Sequence, residues 1–439
     1  MQRRSHILIV GLALLLAACE IPSWAGGPKA PIKRAPGERL DVISAQPKLK
    51  PDEAAAQTPI EVPDQVGNEQ WLTRNDAMLT RHIGLKGITS ESSASIGDGN
   101  AFSRHSAPVP VIAAGLVYAM DAAGVISAHD MNDIDEVRWR NSSAEVEDVD
   151  DVLGGGMVVR EGVLYASTGY GTLMAIDATT GKTRWKTSVG APVRGAPAAD
   201  DKIVVVLSAD NQTLAFDAQK GTPRWEHRGI RESAGYFAAT SPVISDGIVV
   251  AAYTSGELFA IRAETGSVLW SDTLTSPVRT RAAAVFSGID ADPIVQDGVV
   301  VVVSAGGIIQ ASALLNGRPL WQRKIGGHQT PWSAGNALYI ITDTHDVAAL
   351  LKRDGSVRWA KSLAQDDGRK DTTPPLYGPI LAGNAIMVLS GDGVLHTFKP
   401  ETGKALGEYE LDSDVVTTPI IAHGAMYFVT KDAVLHKYE

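Results

Sequence analysis

The chain has 439 residues, 44% hydrophobic and 21% charged, with 40 Lys and Arg against 50 Asp and Glu and a formal net charge of −10. This length suits two or three average domains or one large repeat architecture with a sizeable core. The acidic balance excludes a general nucleic-acid binder, which needs a basic face.

In chain order, residues 1–18 read as a signal peptide. Arg3 and Arg4 precede an apolar run from Ile7 to Ala18, too short to span a bilayer as a stable helix. The run closes on Leu16-Ala17-Ala18-Cys19, which resembles the lipobox of bacterial lipoproteins, with the thiol as lipid acceptor. Cys19 is the only cysteine, so no disulfide forms within the chain. Glu20 follows it, not the Asp that commonly retains such lipoproteins in the inner membrane, so the outer membrane is expected. Residues 19–70 read as the lipidated Cys and a Pro-rich tether, with prolines from Pro22 to Pro63 and no sustained periodicity. Such a segment buries too little apolar surface to offset its ordering entropy.

From residue 71 to 439 a repeat takes over. Gly162 to Trp185, Lys202 to Trp225, Gly247 to Trp270, Gly298 to Trp321 and Asn336 to Trp359 are each 23 residues apart, with a turn Gly four residues before each Trp. The unit ending at Trp139 carries Asp135 in the Gly slot. The seventh unit keeps Gly403 but places Gly407 where the Trp belongs, and an eighth stops before reaching either. Each unit alternates short apolar runs, rich in Val, Ile and Tyr, with turns such as Asp246-Gly247, Ser255-Gly256 and Thr265-Gly266. This predicts four antiparallel strands per unit, eight times over, and so an all-β, eight-bladed β-propeller with the Trp on each outer strand. The last unit lacks its outer strand, and residues 88–97 are expected to supply it by pairing with 433–438.

These residues resemble the propellers related to pyrroloquinoline-quinone (PQQ) enzymes. With the lipobox and tether, the chain is similar to the BamB family of lipoprotein scaffolds in outer-membrane β-barrel assembly. The resemblance covers about residues 85–439 plus the anchor. It implies a lipid-anchored, periplasm-facing scaffold that binds the periplasmic domains of the barrel-inserting subunit, with unfolded outer-membrane proteins as further partners. It also implies docking through loops at one mouth of the ring. Of the family's two aspartates before the fifth blade, one matches Asp290, whereas Gly288 occupies the other position. Where the family carries an Arg flanked by Leu, this chain has Tyr236 and Phe237.

The residues offer no constellation for catalysis. The ten histidines are scattered, and His129-Asp130 and His345-Asp346 read as solvated groups in or beside turns. The acidic run 145–151 lacks the turn Gly and ligand spacing of a calcium loop. Neither the length nor the vicinal Cys pair of quinoprotein dehydrogenases is present, so no cofactor, metal or enzyme activity is expected. The variable loops between blades carry Arg194, Arg231, Arg279, Arg281 and Arg369, and Arg and aromatics dominate interface energetics. Tyr236, Phe237, Arg279, Arg281 and Asp290 are therefore the expected partner-binding residues, with Trp332 and Tyr377 as channel lining. Another envelope scaffold, or a propeller binding a small ligand in its channel, is the alternative.

Overall fold

The hydrophobic pattern resolves into strands that alternate in a fixed way. In the second unit, Val163–Thr168 is buried along its whole length, whereas Thr183–Ser188 alternates exposed and half-buried residues. A strand covered on both faces reads as continuous apolar sequence, and an outer strand as alternation. The computed structural model describes residues 49–73, 81–97, 107–144, 154–193, 195–231, 240–274, 288–364, 373–411 and 414–439. Among these the strands form eight sheets, seven of four strands and one widened to six, and the sole helix is the single turn Ala55–Gln57. The sheets follow one another along the chain as the blades of a propeller.

The Gly-x-x-x-Trp phrase joins each sheet to the next. Trp139 Nε1 donates to Ala178 O at 3.0 Å, Trp185 to Ala218 O at 3.0 Å, Trp225 to Ala263 O at 2.8 Å and Trp270 to Leu314 O at 2.6 Å. Trp321 and Trp359 donate likewise to Lys352 O and Pro400 O. Each acceptor lies at the third turn of the following sheet, where the ring also covers the turn Gly. At Gly317, φ is +69° and a Cβ would fall 2.6 Å from the Trp270 ring, so glycine satisfies both backbone and contact. Within its own sheet the Trp stands opposite a small residue, as in the row Tyr165–Ala175–Trp185.

The two irregular units follow from the same contact. Strand Glu91–Ser95 pairs antiparallel with Val434–Tyr438, Glu91 opposite Tyr438 and Ser95 opposite Val434. The eighth sheet therefore has no turn joining its third and fourth strands. A Trp in the seventh unit would have no turn Gly to cover, and Gly407 stands in its place.

The two ends of the ring differ. Loops between sheets bond to the turns between second and third strands: Val193 N to Thr168 O, Ile289 N to Tyr253 O and Gly327 N to Ser304 O. The opposite end carries the first and third turns of each sheet, tied by bonds such as Ala218 N to Lys202 O and Leu314 N to Gly298 O.

The expected tether is corrected for residues 49–70: the segment starts with Leu49 on Asp346, crosses that second end, and continues to Trp71 and Thr73 against inner strands. The chain from Lys48 to Glu439 forms one compact unit. Asn336 holds Pro59 O and Glu61 N, Gln65 reaches Asn384, and His423 N donates to Asn68 O. Gln65–Val66 and His82–Ile83 add in parallel to the seventh sheet, Trp71 bridges to Ile112 and Thr73 to Val158. Prolines deny this stretch a sheet of its own, but its backbone groups are satisfied one by one at the blade turns. The tether expectation before residue 49 lies outside the described residues.

Candidate docking face

The loop leading into the fifth blade, residues 288–293, sits at the end that the N-terminal segment leaves open. It is tied to the segments entering both neighbouring blades: Ser241 N, before the fourth, donates to Asp292 Oδ1 at 2.6 Å, and Asp292 N donates to Thr330 Oγ1, before the sixth, at 3.1 Å. A Cβ at Gly288 would stand 2.8 Å from Thr254 O. No aspartate fits there without moving the backbone, which accounts for the missing second acid.

Asp290 is buried, with its side chain only 6% exposed, and its Oδ2 accepts from His328 Nδ1 at 2.8 Å. Its Oδ1 has no hydrogen-bond partner among the described residues. The His328 side chain is 44% exposed. Asp290 therefore supports an outward imidazole and does not itself present the charge. The hydrogen bond to Asp290, then its charge and that of Asp343, raise the His328 pKa above the ordinary value against the opposing effect of burial. His345 is pushed the other way, first by burial and then by the His328 charge, with Asp343 and Asp346 opposing.

Of the other expected contact residues, Tyr236, Phe237, Arg279 and Arg281 lie outside the described residues, as do Arg194, Arg369 and Cys19. His129 is corrected: it is wholly buried on a strand, Nδ1 on Ile134 O and Nε2 on Ser127 Oγ. Asp346 is also buried, and accepts from Leu49 N and Thr344 Oγ1. Trp332 lies under the N-terminal segment, donating to Arg81 O and packing on Trp71 at 6.2 Å between ring centroids. Sequence reasoning passed over both His328 and Trp71. "GGHQTPW" carries no motif, and Trp71 falls where the tether was expected to end.

A family model described as "Outer membrane protein assembly factor BamB" matches residues 122–361 and 362–439, more than half of the chain. The chain belongs to the BamB family. It is 26% identical over 332 residues to the BamB of Escherichia coli, 74% of this chain and 83% of that one. To the BamB of Yersinia pestis it is 22% identical over 330 residues, 73% and 81% of the two chains. The BamB crystal structure from Moraxella catarrhalis superposes with a TM-score of 0.68 at 19% identity, covering 80% of this chain and all of that one. A europium-containing methanol dehydrogenase reaches 0.66 at 13% identity over 82% and 89%, which shows a shared fold alone.

Proposed function

We propose that this BamB-family chain is a non-catalytic scaffold of the outer-membrane protein assembly machinery. It is held at the outer membrane by lipid on Cys19 and faces the periplasm. The family match over two adjoining segments carries this reading. The pairing of Glu91–Ser95 with Val434–Tyr438 is read as the clasp that closes the ring. Its partner is the periplasmic part of the barrel-inserting subunit, which docks on the loops between blades, with Arg279, Arg281, Tyr236 and Phe237 as contact residues and His328 carried on Asp290. Unfolded outer-membrane proteins are secondary partners, binding by strand addition at an outer blade edge. Against a ligand in the channel, the axial space beside Trp71 and Trp332 measures about 20 Å³, little more than one water molecule occupies.

The test is co-purification from detergent-solubilised envelopes with a tagged chain. Recovery of the barrel-inserting subunit is expected. Recovery of a different envelope complex instead, or quinone-dependent dye reduction by the purified protein, contradicts the reading. Cys19→Ser should remove the chain from the outer-membrane fraction. Unchanged fractionation would refute the lipid anchor.

A further inference from the structure

A cleft of about 430 Å³ opens between the fifth and sixth blades, on the end crossed by the N-terminal segment. Its origin lies in two departures from the repeat. In the first and second blades a tyrosine packs beside the outer Trp, and both reach one carbonyl of the next blade. Tyr118 OH and Trp139 Nε1 share Ala178 O, and Tyr165 OH and Trp185 Nε1 share Ala218 O. In the fifth blade the corresponding row is Ile294–Val301–Ala311–Trp321, with valine in the tyrosine position. The third and fourth blades also carry valine there, Val205 and Val250, but their rows pack into apolar clusters with Phe259 and Leu314.

The second departure is the residue that offers the carbonyl. Where the earlier blades have Ala178, Ala218, Ala263 and Leu314, the sixth has Lys352. Its ammonium is half-buried, and the hydrogen-bonding partner found for it is the neutral Gln296 Oε1 at 2.8 Å, which also accepts from Ser333 Oγ at 2.6 Å. Asp297 lines the cleft rim without forming an ion pair with it. Burial lowers the Lys352 pKa, and Asp297 only partly opposes this. An amine placed where alanine packs equally well costs desolvation unless an anion meets it. Gln296 turns its amide oxygen to Lys352, which leaves its amide nitrogen as a second donor. The remaining walls are mainly apolar, from Trp321, Leu320, Leu338 and Leu351, while Thr58, Asn336 and Arg353 also line the cleft and Arg353 pairs with Asp354.

We propose that this cleft binds a monoanionic amphiphile, an alkyl carboxylate whose head group meets Lys352 and Gln296 and whose chain lies along Trp321. Arg353 is paired with Asp354, which leaves the Lys352 ammonium to match one negative charge, and the volume falls in the range of small-ligand sites, roughly 300–1,000 Å³. The site lies on the end opposite the proposed docking loops.

The test follows the indole resonance of Trp321 in the folded, full-length protein while octanoate is titrated, with octanol and octyl phosphate as comparisons. Octanoate should shift the resonance saturably, with the two comparisons weaker. Lys352→Met should weaken octanoate binding about tenfold or more, the loss expected for one charge-assisted hydrogen bond. Val301→Tyr restores the side chain of the other blades and should abolish binding while leaving the thermal midpoint unchanged or higher. An absent or unsaturable shift, or an unchanged response in folded Lys352→Met, overturns the site. Octanol binding as tightly as octanoate overturns the role of charge, and tighter octyl phosphate overturns the carboxylate.

Discussion

At the scale of single residues, the candidate docking face is organised around a buried carboxylate and the imidazole that covers it. Asp290 has little access to water, and the His328 imidazole covers it at 2.8 Å. The contact raises the His328 pKa, so its stabilisation is complete below the ordinary histidine value of about 6.5. It is lost as pH rises through the higher folded value. The gap in thermal midpoint between wild type and His328→Gln should therefore narrow as pH is raised from about 6.5. A gap independent of pH would contradict the pair. Asp290→Asn should return the His328 titration, followed by NMR, towards the ordinary value. The sequence marked Asp290 through a family resemblance, yet its covering partner lies 38 residues further along. No local pattern connects two groups that meet only because neighbouring blades meet.

At the scale of the element, the repeat was readable because the Gly-x-x-x-Trp phrase is written five times in the same spacing. Each Trp supplies apolar area and one indole hydrogen bond to the next sheet. Trp270 is half-buried, so Trp270→Ala should cost about 3 kcal/mol, the low end for losing a large aromatic. Urea unfolding checks this, and a change below about 1 kcal/mol would mean the blades hold together without it. Gly407→Trp should bring no gain, since the eighth sheet offers that ring no turn. Residues 49–73 were not readable in the same way. Composition reports whether a segment can form its own core, and this one cannot. It is ordered instead by acceptors and donors on five different blades, including Asn336, Asn384 and His423.

For the whole molecule, the division of labour follows from the two ends of the ring. Identical turns and the N-terminal segment occupy one end, with Trp71 wedged against Trp332. The other end carries residues 288–293, with Asp290 held against His328. The central claim is that the loops between blades dock the barrel-inserting subunit. Its most direct test is the affinity of the purified protein for that subunit's periplasmic domains after Arg279→Glu with Arg281→Glu. Lys182→Glu with Lys404→Glu, at third turns on the opposite end, serves as the comparison. Hot-spot loss predicts binding weakened about tenfold or more by the first pair, with the fold intact and no change from the second. Equal affinity in both folded variants would contradict the account.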